Sequence, residues 1–553
     1  MTRFDPIAIV GLGGLFPGSG PGASDLDAFW KLVRDGNSAA REVPEGRWVL
    51  PPDQATSEER GESDRVNSVR GCFLDAVPSA PEAVAKRLRE SGIDLAGLDP
   101  LLPLTLFAGD QAYRNGRLDR FEPSRVGAVF GNIVLPTDGS SALGRDTFDA
   151  ALRDRFPDLA TVLDQPLPSH DTVDPRNRYV AGHPATILAR GLGIEGGVST
   201  LDAACASSLF ALRLAARDLH DGRLDAVIAG GVSRPDCQYT QMGFSQLRAV
   251  SRRGVCSPFD ADGDGLVVGE GGALFALRRL ADAEADGDEI LGVLRGIGLS
   301  NDVGGSLLAP DSEGQLRAMR EAYAQARWSP KDVDLIECHA TGTPLGDAVE
   351  LRSLRALWAE APKSDGYPAP AAPCVVGSVK SNVGHLLTGA GAAGLTKVLL
   401  SFRHETLPPT AAFSTPNAEL LPDGTPFRVL AESAPFPRRA KSAPRRAAVS
   451  AFGFGGINAH VLVEEWTGAS AGSKKRRQKK KNKKKQRSAP MSKKPTSNAE
   501  PIAIVGIGGR LPGCTDGNLR SLAATLLGTE VDLPGAVDRG CTTDGRRFGL
   551  TSQ

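Results

Sequence analysis

Three side chains have the types and spacing to do chemistry together. Cys205 lies in Val198-Ser-Thr-Leu-Asp-Ala-Ala-Cys-Ala-Ser-Ser-Leu-Phe210, which reads as a strand, a tight turn and a helix that is apolar almost all round. The pattern predicts Cys205 in the first turn of that helix, where unpaired N–H groups and the positive end of the dipole favour a thiolate. Ala203, Ala204, Ala206 and Ser207 would leave room for an incoming chain. A packed core thiol is the commoner fate of a single cysteine, and Cys338 and Cys374, in apolar strands, read that way. Two histidine segments point elsewhere for Cys205. In Glu337-Cys-His-Ala-Thr-Gly-Thr-Pro-Leu-Gly-Asp-Ala-Val-Glu350, His339 leaves a strand and enters a loop of small and hydroxyl residues that could receive an extended polar cofactor arm. Asp347 and Glu350, three apart, share one face of the helix that follows. In Gly377-Ser-Val-Lys-Ser-Asn-Val-Gly-His385, Lys380 and His385 flank a turn before a helix of Gly and Ala. A thiol nucleophile needs partners for the carbonyl and the proton, and two imidazoles in strand-to-helix loops supply them.

The elements that must position these residues alternate along residues 1–466. Apolar runs such as Asp225–Gly231 and Val333–Cys338 read as buried strands, and Ser208–Leu219 and Glu313–Arg327 as helices. Such alternation predicts α/β layering. The apolar run Ile7–Val10, broken by the glycines that follow, is too short for the apolar core of a secretion signal. A charged stretch, Asp282–Asp288, suggests a seam between two halves, 1–287 and 288–466. Beyond them, the opening segment Asp5-Pro-Ile-Ala-Ile-Val-Gly-Leu-Gly-Gly-Leu-Phe-Pro-Gly18 recurs as Glu500-Pro-Ile-Ala-Ile-Val-Gly-Ile-Gly-Gly-Arg-Leu-Pro-Gly513, 495 residues later. That offset exceeds any solenoid repeat and indicates a second related unit beginning near residue 500, of which 500–553 is only the start. Residues 467–499 between the copies read as a basic, disordered linker.

Composition narrows the function classes. Lys plus Arg equals Asp plus Glu at 65 each, yet Lys474–Lys494 holds thirteen basic and no acidic residues, leaving the remainder at −13. No field therefore steers the body toward nucleic acid, and the basic run has no interleaved aromatics, so a solvated spacer is expected there. Eight scattered cysteines without CxxC spacing suit a reducing cytoplasm better than a disulfide framework. No segment approaches the ~20 apolar residues of a membrane span. Gly389-Ala-Gly-Ala-Ala-Gly394 fits GxGxxG but follows no strand, so close helix packing explains it better than a dinucleotide. Asp260-Ala-Asp-Gly-Asp-Gly265 resembles the opening of a calcium loop, but its twelfth position is Gly271. The 134 residues between Cys205 and His339 fit a papain-like protease, without that family's cysteine context.

Together the segments IAIVG…FPG, DAACASS, CSPFDADGDGLVVGEG, ECHATGTPLGDAVE, GSVKSNVGHL and FGFGGINAH closely resemble the β-ketoacyl synthases, condensing enzymes of the thiolase fold. The likeness covers Asp5–Glu465. Details at Gly131–Thr137, Asn177–His183 and Gln241–Phe244 look most like the synthase-plus-chain-length-factor subunit of bacterial polyunsaturated fatty acid synthases, with glycolipid and enediyne iterative synthases as near relatives. The resemblance implies an αβαβα fold of two pseudo-duplicated halves. It implies that Cys205 carries an acyl chain from an acyl carrier protein, and that His339 and His385 stabilise the enolate left when a malonyl carrier loses CO2. It implies an oxyanion hole from the N–H groups of Cys205 and Phe454, a Lys380–Glu350 pair holding the histidines with Asp347 in support, and contacts of Thr341 and Thr343 with a pantetheine arm. The cofactor is then phosphopantetheine on the carrier, with none bound by this domain and no metal. The partners are the carrier and a second synthase or chain-length-factor unit in a dimer or pseudo-dimer. A non-catalytic chain-length factor is the rival for residues 1–466, against which the joint presence of Cys205, His339 and His385 counts. Ala203 and Ile457 stand where many members have Thr, and an altered pocket shape is expected from both.

Overall fold

Ten strands of the structure, a computed structural model, fall into two sets with one topology. In the first half the order from the edge inward is Val198–Leu201, Val126–Gly131, Ala226–Ser233, Gly271–Arg279 and Ile7–Leu15. In the second it is Cys374–Gly377, Leu335–Glu337, Arg446–Gly453, Ile457–Glu464 and Gly292–Asn301. In both, the two pairings nearest the edge are parallel and the next two antiparallel. The sets join where Ile7–Ile9 pairs antiparallel with Gly292–Leu294, and Phe427–Arg428 adds an eleventh strand beside Cys374. The structure describes residues 4–18, 25–156, 173–305, 309–362 and 366–468, with short strands between 536 and 551.

Each half places one helix between the two sets of strands. Ser207–His220 and Ala390–Arg403 pack on each other, and every residue from Ala390 to Phe402 is buried. A helix apolar on all sides has no stable place at a surface. Here strands cover both faces, and Leu209, Leu212, Val398, Phe275, Val449 and Val461 share the central core. Gly391 lies in this contact, where a Cβ would come 2.6 Å from Ser208 Oγ, so helix packing accounts for the glycine motif. Outside the sheet, Leu101–Asn115 and His183–Leu192 enclose a second core with Leu106, Leu188, Phe130 and Leu274. On the opposite side Ser312–Ala326 and Pro344–Ala359 enclose a third, with Met319, Leu354 and Ile336. The result is an αβαβα stack.

Strand Ile7–Leu15 runs through Gly11 and Gly13 because helix Leu101–Asn115 lies directly on them, and a Cβ at either would collide with the carbonyl oxygens of Ala112 or Ala108. Asp260 and Asp264 are already engaged as hydrogen-bond acceptors. Asp260 accepts the N–H groups of Asp262, Ser414 and Thr415, and Asp264 the Ser251 hydroxyl.

The chain divides into two compact units, Met1–Gly472 and Ser473–Gln553. In the second, Ala536–Val537 pairs with Leu550–Thr551 and Thr542–Thr543 with Arg546–Arg547. The basic run and the second copy of the opening motif, residues 500–513, lie outside the described residues.

Candidate active site

Cys205 and His385 occupy corresponding connections of the two halves, each between the edge-side parallel strand and the buried central helix. His339 follows the neighbouring strand, Leu335–Glu337. The carboxyl ends of parallel strands are where open α/β sheets leave room for ligands. Cys205, His339, His385, Thr341, Thr343 and Phe454 there line one cavity of about 340 Å³.

The cysteine turn is strained and tightly held. Ala204 has φ 49°, a left-handed conformation that non-glycine residues adopt at a cost of ~1–3 kcal/mol. Asp202 holds it by accepting the N–H groups of Ala204 and Val134, both at 2.9 Å. Ser207 Oγ accepts from Ala203 N–H at 2.7 Å and donates to Ala204 C=O at 2.6 Å. Ser207 therefore pins the turn and does not simply leave space. The helix begins at Ser207, so Cys205 precedes its first turn. The expected thiolate is corrected too. Burial pushes the Cys205 thiol up to about 11, against the pull of the Lys380 charge and of hydrogen bonds from the N–H groups of Phe454 and Cys205 itself. At rest Cys205 is a thiol.

Phe454 reaches the cysteine through a hairpin between Arg446–Gly453 and Ile457–Glu464. Gly453 makes the approach possible. A Cβ there would lie 2.9 Å from the Ala204 Cβ and 3.2 Å from Cys205 N. Gly453→Ala is accordingly expected to push the hairpin outward and slow acyl loading of Cys205 by ~10²-fold, the effect of an ångström of misplacement. Loading at the wild-type rate by a folded variant, timed by quenched-flow mass spectrometry, would contradict this.

The histidine loops are clamped by buried carboxylates. Glu350 accepts the N–H groups of His339 at 2.8 Å and Ala340 at 2.7 Å. Asp347 accepts those of Thr341, Gly342 and Phe259 at 3.0, 3.2 and 3.1 Å. Burial pushes both carboxyls up to about 7. Among the described residues Glu350 makes no ion pair with Lys380 and holds the His339 loop through its backbone instead. Lys380 acts by its field, which lowers both imidazoles and the Cys205 thiol. Thr341 and Thr343 join through their hydroxyls at 2.9 Å.

Burial first, and the Lys380 charge second, hold His339 and His385 well below the usual imidazole range, so both are neutral. Their ring centroids are 5.4 Å apart at 78°. His385 Nδ1 accepts the Leu387 N–H at 3.1 Å, which leaves the proton on Nε2. Leu387 holds that N–H in a second left-handed turn, φ 47°, which no motif announced. His339 Nδ1 is buried with no hydrogen-bond partner among the described residues. The sulfur and one nitrogen of each ring lie within 4.8 Å of one another, close enough to suggest a soft cation. A ligating His donates its other N–H to an acceptor, whereas His385 meets a donor. His385 Nε2 is therefore left with a proton to donate.

A strained cysteine turn facing two neutral imidazoles, at the meeting of two duplicated halves, defines a thiolase-type condensing domain. The chain belongs to the β-ketoacyl synthase family: residues 4–283 match its N-terminal domain and 291–414 its C-terminal domain. It is 33% identical over 475 residues to the polyketide synthase GfsA of Streptomyces halstedii, covering 84% of this chain and 6% of that protein. It is 32% identical over 466 residues to a mycocerosic acid synthase-like polyketide synthase of Mycobacterium tuberculosis, covering 84% and 20%. The chain thus spans a fifth or less of these relatives. Among solved structures it resembles the PfaC keto synthase–chain length factor, with TM-score 0.72, 33% identity and coverage of 84% and 48%. It also resembles the ketosynthase domain OzmH KS7 of Streptomyces albus, with TM-score 0.69, 29% identity and coverage of 84% and 75%. No helix among the described residues is long and apolar enough to cross a membrane.

Proposed function

We propose that residues 1–466 catalyse decarboxylative condensation of a malonyl carrier with an acyl chain on Cys205, in polyunsaturated fatty acid or polyketide synthesis in the cytoplasm. One observation carries this reading: a single cavity presents a thiol touched by two backbone N–H groups opposite two neutral imidazoles. In loading, the Cys205 sulfur attacks the carrier thioester, and its proton ends on the departing pantetheine sulfur. The malonyl carbon–carboxyl bond then breaks, CO2 leaves, and the electron pair moves onto the thioester oxygen, to which His339 and His385 donate. The enolate carbon attacks the Cys205 thioester. The N–H groups of Cys205 and Phe454 receive the oxyanion, and collapse expels the Cys205 thiolate, which takes a proton from solvent. The pantetheine arm lies along Thr341 and Thr343, and the domain binds no cofactor of its own.

Incubation with an acyl carrier protein is expected to add one acyl mass, recovered on the Cys205 peptide. An unmodified Cys205, or label on another residue, would remove the assignment. The likeness to a paired synthase and chain-length factor supports a dimer or pseudo-dimer with a second such unit. Sedimentation is expected to give that assembly, and a monomer fully active at nanomolar concentration would argue against it.

A further inference from the structure

Two charged side chains in the core take no part in this chemistry. Glu337 ends the strand Leu335–Glu337 and Lys397 lies on the buried helix Ala390–Arg403, each 1% exposed. Lys397 Nζ is 2.8 Å from Glu337 Oε2. The contact is not aligned as a hydrogen bond, for Oε2 has no hydrogen-bond partner among the described residues, so charge attraction holds it. The other oxygen, Oε1, accepts the Val379 N–H at 2.6 Å. Gly394 makes way for this side chain, since a Cβ there would come 2.8 Å from Glu337 Cγ. One carboxylate thus touches three elements. Its own strand leads two residues later to His339, Val379 opens the turn that ends at His385, and Lys397 belongs to the helix that follows that turn.

A buried ion pair is a weak source of stability, because lost hydration offsets the attraction. Its better-attested use is to select one register among similar packings. The strands ahead of the two histidines share a parallel ladder of only three residue pairs, Leu335–Glu337 against Val375–Gly377. We propose that Glu337 and Lys397 are positioning residues that set the separation of His339 and His385. Neither lines the cavity, and they act only through the two loops.

The inference rests on the reading that both imidazoles hold the enolate, and its test separates the two. E337Q/K397M removes both charges and leaves no uncompensated ion. It is expected to melt near the wild type and to load Cys205 unchanged, because the cysteine turn does not touch the pair. Its kcat for malonyl decarboxylation is expected to fall roughly 10- to 100-fold at constant KM, the scale of a small misplacement. K397R, which keeps the charge, should hold the rate. Should the double variant fail to fold, E337D, which withdraws the carboxylate by one methylene, should give the same split. Decarboxylation at the wild-type rate in the folded variant, or loss of loading in step with it, would overturn the inference. If the wild type neither loads nor decarboxylates, the functional reading fails, and ¹⁵N-histidine spectra still decide this one. Shifts of His339 and His385 with His183, His220, His404 and His460 unmoved support it, and unmoved His339 and His385 overturn it.

Discussion

Cys205→Ala is expected to abolish covalent acyl loading and to lower condensation on the order of 10⁴-fold or more, the scale of losing a nucleophile in covalent catalysis. Decarboxylation of the malonyl carrier should persist, because His339 and His385 stand on other loops and their clamps do not involve the sulfur. Covalent acyl label on the variant would show that another residue is the nucleophile. The thiol itself can be followed by alkylation. Burial holds Cys205 up to about 11, so only ~10⁻⁴ of it is ionised at pH 7, and iodoacetamide should modify it slowly. The rate should climb about tenfold per pH unit through pH 10, without the plateau past ~8.5 of an ordinary thiol. A plateau there would mean that Lys380 and the two N–H groups outweigh burial.

His339→Ala and His385→Ala are each expected to slow malonyl decarboxylation by ~10²–10³-fold, the loss for one oxyanion donor. That is ~3–4 kcal/mol of transition-state stabilisation. Loading of Cys205 should survive in both, measured as the burst of acyl transfer. The neutral state of the rings sharpens the expectation. Because burial keeps both imidazoles uncharged, the proposed role is that of neutral N–H donors. His→Asn, which keeps a neutral N–H, should recover part of the rate that Ala loses. Equal loss with Asn and Ala would point to imidazole basicity and against simple donation. Loss of loading in either alanine variant would mean that the histidines act on Cys205 in the first half-reaction.

Much of the architecture could be read in advance because its signals are local. Ser208–Leu219 and Glu313–Arg327 were legible as helices from composition, and the structure extends or shifts them by a residue to Ser207–His220 and Ser312–Ala326. Asp225–Gly231 was legible as a strand, found as Ala226–Ser233. The strand through Gly11 and Gly13 was not, because glycine weakens a strand locally and only the helix lying on it explains the choice. The same holds for Ser207 and Leu387, whose roles lie in bonds to a turn and to a ring nitrogen.

Local pattern was enough to single out Cys205, His339 and His385 as candidates, since each sits in a contiguous strand-to-helix segment with distinctive residue types, and the fold brings the three into one cavity. Tertiary structure alone decided their chemical state and their supports. Whether Cys205 rests as thiol or thiolate depends on burial against the field of Lys380 and the Phe454 N–H, all contributed by distant parts of the chain. Whether Glu350 pairs with an ammonium or clamps a loop depends on which groups come within 3 Å, and it is the N–H groups of His339 and Ala340 that do so. Solvation and hydrogen bonding are set by neighbours in space, and no local pattern encodes them.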